Sequence, residues 1–136
     1  GSMSSTHSAN PIVCAAGRAN LECLFDDGLI EASKELGVTF HEELEKIRCR
    51  FSEHLSWVEG RGLLAALIFK DVNGKPLASL CDAIAELCMQ SGLLVVHTGR
   101  ESIKLAPPLS ISKEAMLEGL SVLEQSIAVS ISENKF

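Results

Sequence analysis

The chain has 136 residues, about the size of one domain, and 46% of them are hydrophobic. Its net charge of −6, from 12 basic and 18 acidic residues, argues against a nucleic-acid surface, which would need clustered Lys and Arg. No apolar run approaches the roughly 18 residues of a membrane span and no basic-then-apolar leader opens the chain, so we expect a cytoplasmic protein with no membrane contact.

The first predicted element is a helix from Pro11 to about Leu24. Asn10 can accept hydrogen bonds from the first free amides, and Pro11 occupies the first helical position without wasting a donor. The residues at 26–28, Asp-Asp-Gly, end this helix. Its interior is rich in Ala and Gly, so it can approach another backbone closely.

A second, longer helix follows. Its apolar residues are spaced by three and four, and they are Leu36, Phe40, Leu44, Ile47, Phe51 and Leu55. Gly37 lies inside this pattern and costs about 1 kcal/mol relative to Ala, so we expect a bend or irregularity there. Trp57 and Val58 then predict a short extended segment that leads into a glycine bend.

The next elements are a strand and a helix. Leu63 to Phe69 is a continuous apolar run, too short for a lone helix, and we interpret it as a fully buried strand. Pro76 suits the first turn of a helix, and Gly92 suits the residue after its end. Between them, one helical face carries Leu77, Leu80, Cys81, Ile84, Leu87 and Cys88.

A hairpin and a last helix complete the pattern. Leu93 to His97 is a predicted strand, the polar residues 98–100 form a break, and residues 102–105 form the third strand, in which Ile103 and Leu105 alternate with Ser102 and Lys104. The two prolines that follow cannot donate to a sheet, so this strand ends there or lies at an edge. Ser112 is a predicted helix cap, and one apolar face continues through Met116, Leu120, Leu123 and Ile127.

The predicted order is β-α-β-β-α, with helices covering one face of a small three-stranded sheet. If the third strand lies between the first two, every neighbouring pair is antiparallel. We therefore predict an α+β fold. We divide the chain into an N-terminal segment with a tag remnant at 1–10, two connecting helices at 11–56 and a small domain at 57–136.

Three segments also carry a family resemblance. They are Gly60-Arg61-Gly62-Leu63-Leu64, Ile103-Lys104-Leu105-Ala106-Pro107-Pro108-Leu109, and Ser5-Thr6-His7-Ser8-Ala9-Asn10-Pro11 with Cys14-Ala15-Ala16. Together with the helix that ends at Gly92-Leu93-Leu94, they resemble the C-terminal part of class-III pyridoxal-phosphate-dependent aminotransferases, the ornithine and 4-aminobutyrate aminotransferase group. The resemblance covers nearly the whole chain but only about the last third of such an enzyme. It implies a small, mainly antiparallel sheet under helices.

The resemblance also implies which functional residues are present. Thr6 matches the residue that reaches across the family's dimer to the phosphate of the partner subunit's cofactor. Lys104 matches a position where many members carry an arginine that binds a substrate carboxylate, and Glu59 replaces the usual arginine before the glycine bend. None of the seven lysines stands in the context of the cofactor-binding lysine, which lies upstream, so we expect no catalytic residue, no bound pyridoxal phosphate and no transamination by this chain alone.

Both sites have alternative interpretations. For this isolated chain Thr6 fits a polar residue in a loose N-terminus better than a cofactor-binding residue, and Lys104 fits an exposed strand lysine at least as well as a substrate-binding one. A lysine also offers a point charge where arginine offers a planar fork. For the whole chain, the alternative is a stand-alone dimeric binding or assembly module that reuses this domain without cofactor.

Other chemistry is poorly supported. His41 and His54 are thirteen residues apart on one predicted helix, too far to chelate one ion together, and no carboxylate or Cys lies at a ligand spacing to His97, so we predict no metal site. The five cysteines form no Cys-x-x-Cys pair, and we interpret Cys81 and Cys88 as core packing. As partners we expect a second copy of the chain, through the helix at 11–23 and the second helix, and the missing large aminotransferase domain.

Overall fold

The computed structural model describes residues 10–133, which form four helices and one four-stranded sheet. In chain order the elements are α1 (Pro11–Asp26), α2 (Leu29–Arg50), β1 (Leu55–Arg61), β2 (Leu64–Phe69), α3 (Ala78–Gln90), β3 (Val96–His97), β4 (Ser102–Leu105) and α4 (Lys113–Glu133). No helix within residues 10–133 is long and apolar enough to cross a membrane.

The start of α1 is confirmed and its end lies two residues beyond the prediction. The Asn10 side chain accepts a hydrogen bond from the Ile12 amide at 2.9 Å, and Pro11 takes the first position. None of the residues of α1 is buried. Among the described elements, α1 packs on α2.

The second helix ends earlier than predicted. It stops at Arg50, and Leu55 is the first residue of β1, so the assignment of Leu55 to the helix was wrong. The amides of His54 and Leu55 both donate to the Phe51 carbonyl, which turns the chain out of the helix. Leu55 still reaches the core because the strand directs it inward, which is why the helical spacing appeared to continue.

The sheet has the order β1-β2-β4-β3, and all neighbouring pairs are antiparallel. The third predicted strand, now β4, lies between the other two, β2 and β3, which is the arrangement that makes every neighbouring pair antiparallel. The strand count was wrong by one, because the predicted extended segment at Trp57 pairs with β2 along its length. At the other edge β3 is shorter than predicted: it pairs only at Val96 and His97, opposite Lys104 and Ile103.

The helices cover one face of the sheet. Along β2 buried residues alternate with partly open ones, and Leu64 is 52% exposed, so the prediction of a fully buried strand was wrong. No helix covers the opposite face among residues 10–133, and that face is left to solvent. The alternation is the ordinary consequence of a strand with one packed side.

The core lies between this sheet and α2, α3 and α4. The predicted apolar face is buried at Leu80, Cys81, Ile84 and Cys88 of α3 and at Leu77 just before the helix, while Leu87 is only partly buried. The cap of α4 is also confirmed, because Ser112 Oγ accepts a hydrogen bond from the Ala115 amide at 3.1 Å. The predicted apolar face of α4 is buried at Met116, Leu120, Leu123 and Ile127.

Candidate functional site

The uncovered face of the sheet is the candidate site, and Lys104 lies near its middle. The registers of the four strands place Val96, Lys104, Ala66 and Glu59 side by side in one row across the sheet. Because neighbours directly opposite each other share a face, these side chains project away from the helices. Ile103 and Leu105, on either side of Lys104, point into the core and are buried. Their packing in the core fixes the position of β4.

The Lys104 ammonium has no partner within residues 10–133. The side chain is exposed, and it takes part in no ion pair or hydrogen bond in this part of the chain. Glu59 in the same row is two strands away, about 10 Å between Cα atoms at the usual strand spacing. A positive charge on a mainly apolar sheet face is thus available to an external carboxylate.

A second lysine on this face, Lys70, contacts an aromatic ring. Lys70 Nζ lies 4.8 Å from the centroid of the Trp57 ring, in a cation–π contact. Trp57 is opposite Ile68 in the register and is 43% exposed. With the exposed Leu64 and Val96, the ring makes this face largely apolar. Exposed apolar surfaces of this kind are typical of protein–protein or domain–domain interfaces.

The hairpin that carries Lys104 is tied to α3. His97 Nδ1 lies 2.7 Å from Asp82 Oδ1, and its Nε2 lies 3.2 Å from the Arg100 carbonyl oxygen. Across the same hairpin, the hydroxyls of Thr98 and Ser102 are 2.5 Å apart. These contacts fix the strand on which Lys104 sits. Residues 82 and 97 share no motif or helical spacing, so this contact could not be predicted from the sequence.

An apolar cavity of about 260 Å³ lies among the described residues, and no metal centre is found among them. The cavity lies beside the start of α4, and it is lined by Phe40, Leu93, Leu94, Leu105, Ala106, Pro107, Pro108, Ile111, Ala115, Met116, Gly119, Leu120 and Leu123. No ionisable side chain is among them. Residues 10–133 also contain no group of three or more His, Cys, Asp or Glu side chains that could hold a metal ion.

The buried cysteines are packing residues, as the sequence predicted. Both thiols are fully buried and free in α3. Desolvation by burial, with a smaller contribution from the Asp82 and Glu101 carboxylates, raises the pKa of Cys81 to about 12. Burial also raises the pKa of Cys88. Neither thiol is therefore a nucleophile at neutral pH. The other predicted site residue, Thr6, lies outside the described residues.

Comparison with known proteins gives consistent results. The family model described as aminotransferase class-III matches residues 1–127. The mitochondrial ornithine aminotransferase of Oryza sativa subsp. japonica is 38% identical over 118 residues, which are 87% of this chain and 24% of the rice protein. The acetylornithine aminotransferase of Gloeobacter violaceus is 33% identical over 124 residues, 91% of this chain and 29% of that protein.

The fold agrees with these relatives. The crystal structure of acetylornithine aminotransferase from Elizabethkingia anophelis superposes with a TM-score of 0.82 at 32% identity, over 95% of this chain and 31% of that one. The omega-transferase of Vibrio fluvialis JS17 superposes with a TM-score of 0.86 at 27% identity, over 98% of this chain and 32% of that one. The chain thus spans about a quarter to a third of the length of these relatives.

Proposed function

This chain belongs to the class-III aminotransferase family, and from that premise we propose that it forms the C-terminal small domain of a pyridoxal-phosphate-dependent aminotransferase. In this proposal the uncovered sheet face meets the large domain and the substrate. The observation that carries it is Lys104, an exposed cation without a partner among residues 10–133, held on a strand whose neighbouring residues are buried.

Lys104 is the proposed binder of the substrate carboxylate. Its ammonium would form one charge-assisted hydrogen bond with a carboxylate oxygen, where an arginine would form two in parallel. The role of Lys104 is to orient the substrate, and no proton moves through it. The tie between His97 and Asp82 supports this role because it restricts the hairpin that carries the lysine.

The described residues do not fit pyridoxal phosphate. The cofactor needs a lysine in a protected pocket and donors for its phosphate. The apolar cavity offers neither. Lys46 is paired with Glu43, and Lys70 lies over the Trp57 ring. We therefore derive no step through the cofactor, and we propose that this chain alone does not transaminate.

Thr6 and the large domain complete the proposal. We propose that the Thr6 hydroxyl donates a hydrogen bond to the phosphate of the cofactor held by the partner subunit of a homodimer. The amino donor would bind at the surface between Lys104 and the large domain. The cytoplasm remains the proposed compartment, although the name of the rice relative assigns that protein to the mitochondrion.

A graft tests the role of Lys104. Residues 5–133 would replace the matching segment of the Elizabethkingia anophelis enzyme, and transaminase kinetics would be measured. We expect activity, a KM for the amino acid raised at least tenfold by Lys104→Gln, and recovery with Lys104→Arg. Lys113→Gln is the matched control, because Lys113 is also exposed and should not change KM. An unchanged KM in Lys104→Gln would contradict the proposed binding of the substrate carboxylate by Lys104, which would then be an ordinary exposed strand lysine.

The competing proposal is a stand-alone dimeric module, and the exposed apolar surface of α1 is what favours it. A folded graft that binds cofactor but does not transaminate, with intact activity of the parent enzyme under the same conditions, would support the module over the catalytic domain.

A further inference from the structure

The apolar cavity beside the start of α4 has walls from four separate parts of the chain. Phe40 belongs to α2, Leu93 to the segment between α3 and β3, Leu105 to β4 and Met116 to α4. Phe40, Leu105 and Met116 are buried, so they form the floor of the cavity. Its volume of about 260 Å³ far exceeds that of one water molecule, and protein interiors contain few voids of that size.

Backbone hydrogen bonds fix the two segments at the mouth of the cavity. Leu94, which is 83% exposed, lies at this mouth. Before it, the Leu93 amide donates to the Cys88 carbonyl at 2.8 Å, which ties the segment to the end of α3. On the other side, the Ile111 amide donates to the Pro108 carbonyl at 3.0 Å. The space therefore lies between two fixed turns.

Part of the space exists because residue 119 has no side chain. A Cβ built on Gly119 would lie 3.4 Å from Leu93 Cδ1, and no other atom is within 4 Å. That distance is an ordinary van der Waals contact, so a methyl group would fit between α4 and Leu93. The gap is thus left open by the sequence, and a single substitution can narrow it.

The lining determines which molecules the cavity can hold. None of the lining side chains is polar or ionisable. An ordered water needs two to four polar partners, and a charge buried without a partner is strongly disfavoured. An apolar cavity of about 150 Å³ is large enough to hold benzene. The larger volume here leaves room for one ring with a short alkyl arm.

We propose that this cavity binds an uncharged, hydrocarbon-like molecule of about that size. Such a ligand gains dispersion contacts with the floor residues, which face empty space without it. Leu105 lines the cavity, whereas the preceding residue, Lys104, lies on the opposite face of the sheet. The sheet therefore separates this ligand from the proposed substrate carboxylate, and the inference is independent of the proposed function.

Titration of ethylbenzene into the full chain, followed by NMR of its methyl groups, tests the proposal. We expect saturable shifts at Leu93, Ile111 and Met116, with a dissociation constant of about 0.1–1 mM, a range suited to so small a ligand. Benzylammonium is the matched probe, because it has the same number of non-hydrogen atoms and carries a positive charge. It should bind at least about tenfold more weakly.

Filling variants test the location. Ala115→Leu should weaken ethylbenzene binding at least about tenfold, because the larger side chain occupies the mouth of the cavity. Ala128→Leu is the matched control, since Ala128 is also exposed on α4 but does not line the cavity, and it should leave the affinity unchanged. Gly119→Ala is a second filling variant and should also weaken binding. Circular dichroism confirms that each variant is folded.

Three outcomes would overturn the proposal. An absence of saturable shifts in the parent chain would mean that the cavity does not accept a ligand. Equal dissociation constants for the parent, Ala115→Leu and Gly119→Ala would place the binding site elsewhere. Benzylammonium binding as tight as that of ethylbenzene would mean that the site does not select uncharged molecules.

Discussion

Gly37 in α2 and Gly62 in the β1–β2 turn are in backbone contact. A Cβ built on Gly37 would lie 2.7 Å from the Gly62 Cα and 2.9 Å from the Gly62 carbonyl oxygen. The helix runs through Gly37 without interruption from Leu29 to Arg50. No break in the helix is found at Gly37, where the missing side chain lets the backbone of the β1–β2 turn lie against α2.

Gly37→Ala should destabilise the protein by about 1–3 kcal/mol, as overpacking a filled site does. The backbone of Gly62 would have to move, since it is not a flexible side chain. Gly17→Ala is the control, because Gly17 is also helical but has nothing within 4 Å of its built Cβ. It should stabilise by about 0.5–1 kcal/mol, and urea unfolding of both variants measures the two shifts. Equal changes in the free energy of unfolding, with the same sign in both variants, would show that the contact between Gly37 and Gly62 does not affect stability.

Ile84→Ala should cost about 2–5 kcal/mol, as buried large-to-small changes do. Ile84 is fully buried in α3 and belongs to the hydrophobic core. Met89→Ala on the same helix should stay within about 0.5 kcal/mol of the parent, since Met89 is 59% exposed. Thermal unfolding compares them. An Ile84→Ala protein as stable as the parent would place the core elsewhere.

Three of the five cysteines should react in the folded protein. Cys14, Cys23 and Cys49 are exposed, whereas Cys81 and Cys88 are buried. The pKa of Cys81 is raised to about 12 by burial, so its thiolate should remain scarce as the pH rises from about 7 to 10. Mass spectrometry after iodoacetamide counts the modified thiols. Five rapid modifications without denaturant would contradict the burial of α3.

Asp71 should make the β2–α3 connection sensitive to acid. Its Oδ1 accepts hydrogen bonds from the Asn73 and Lys75 amides, each at 2.8 Å. The bond from Lys75 is the largest cause of the lowered pKa of Asp71, whose ordinary value is 3.8. A lowered pKa stabilises the folded state above the ordinary value, and this contribution is lost as the pH falls below it.

The parent chain should therefore exceed Asp71→Ala in stability at neutral pH, and the gap should narrow as the pH falls from about 4. Glu53→Ala, which removes an exposed carboxylate for which the structure gives no hydrogen bond or ion pair, is the control. Urea unfolding midpoints, measured from pH 7 downward, give the pH dependence of stability for each variant relative to the parent. A gap that widens in acid would mean that the two amide contacts do not favour the charged carboxylate.

The purified chain should bind pyridoxal phosphate only weakly and show no absorption band of a lysine-bound cofactor. The described lysines lie at the surface, and none lines the apolar cavity. Absorption spectra with added cofactor, followed by borohydride and peptide mapping, measure this. A visible band that borohydride fixes onto one particular lysine would contradict the proposal that the chain lacks its own cofactor site.

Local patterns predicted most of the fold. The caps at Asn10 and Ser112 and the buried face of α3 depend on residues within a few positions of one another, and each was found. The spacing at Leu55 was misleading because a strand side chain can satisfy the same apolar position as a helix side chain. The partial exposure of β2 could not be predicted from its residues. An apolar run is compatible with helices on one face of the sheet or on both.

The candidate site was predictable only in part. Lys104 was identified from a family resemblance, and the strand registers place it on the uncovered face. The contact between His97 and Asp82 joins residues 15 positions apart in different elements. The Lys70–Trp57 contact likewise depends on the irregular register after Leu55. Neither could be inferred without the three-dimensional pairing of the strands.

The strand order also determines how the sheet can assemble during synthesis. β1 and β2 are joined by a tight turn and can pair as soon as both emerge, but a two-stranded hairpin alone is only marginally stable. β3 emerges next and has no neighbour in the sheet except β4, which lies between it and β2. A nascent chain that ends before Ser102 therefore cannot extend the hairpin. β4, the last strand to be synthesised, joins the β1–β2 hairpin to β3. Until β4 is present, α3 can pack only against an incomplete sheet.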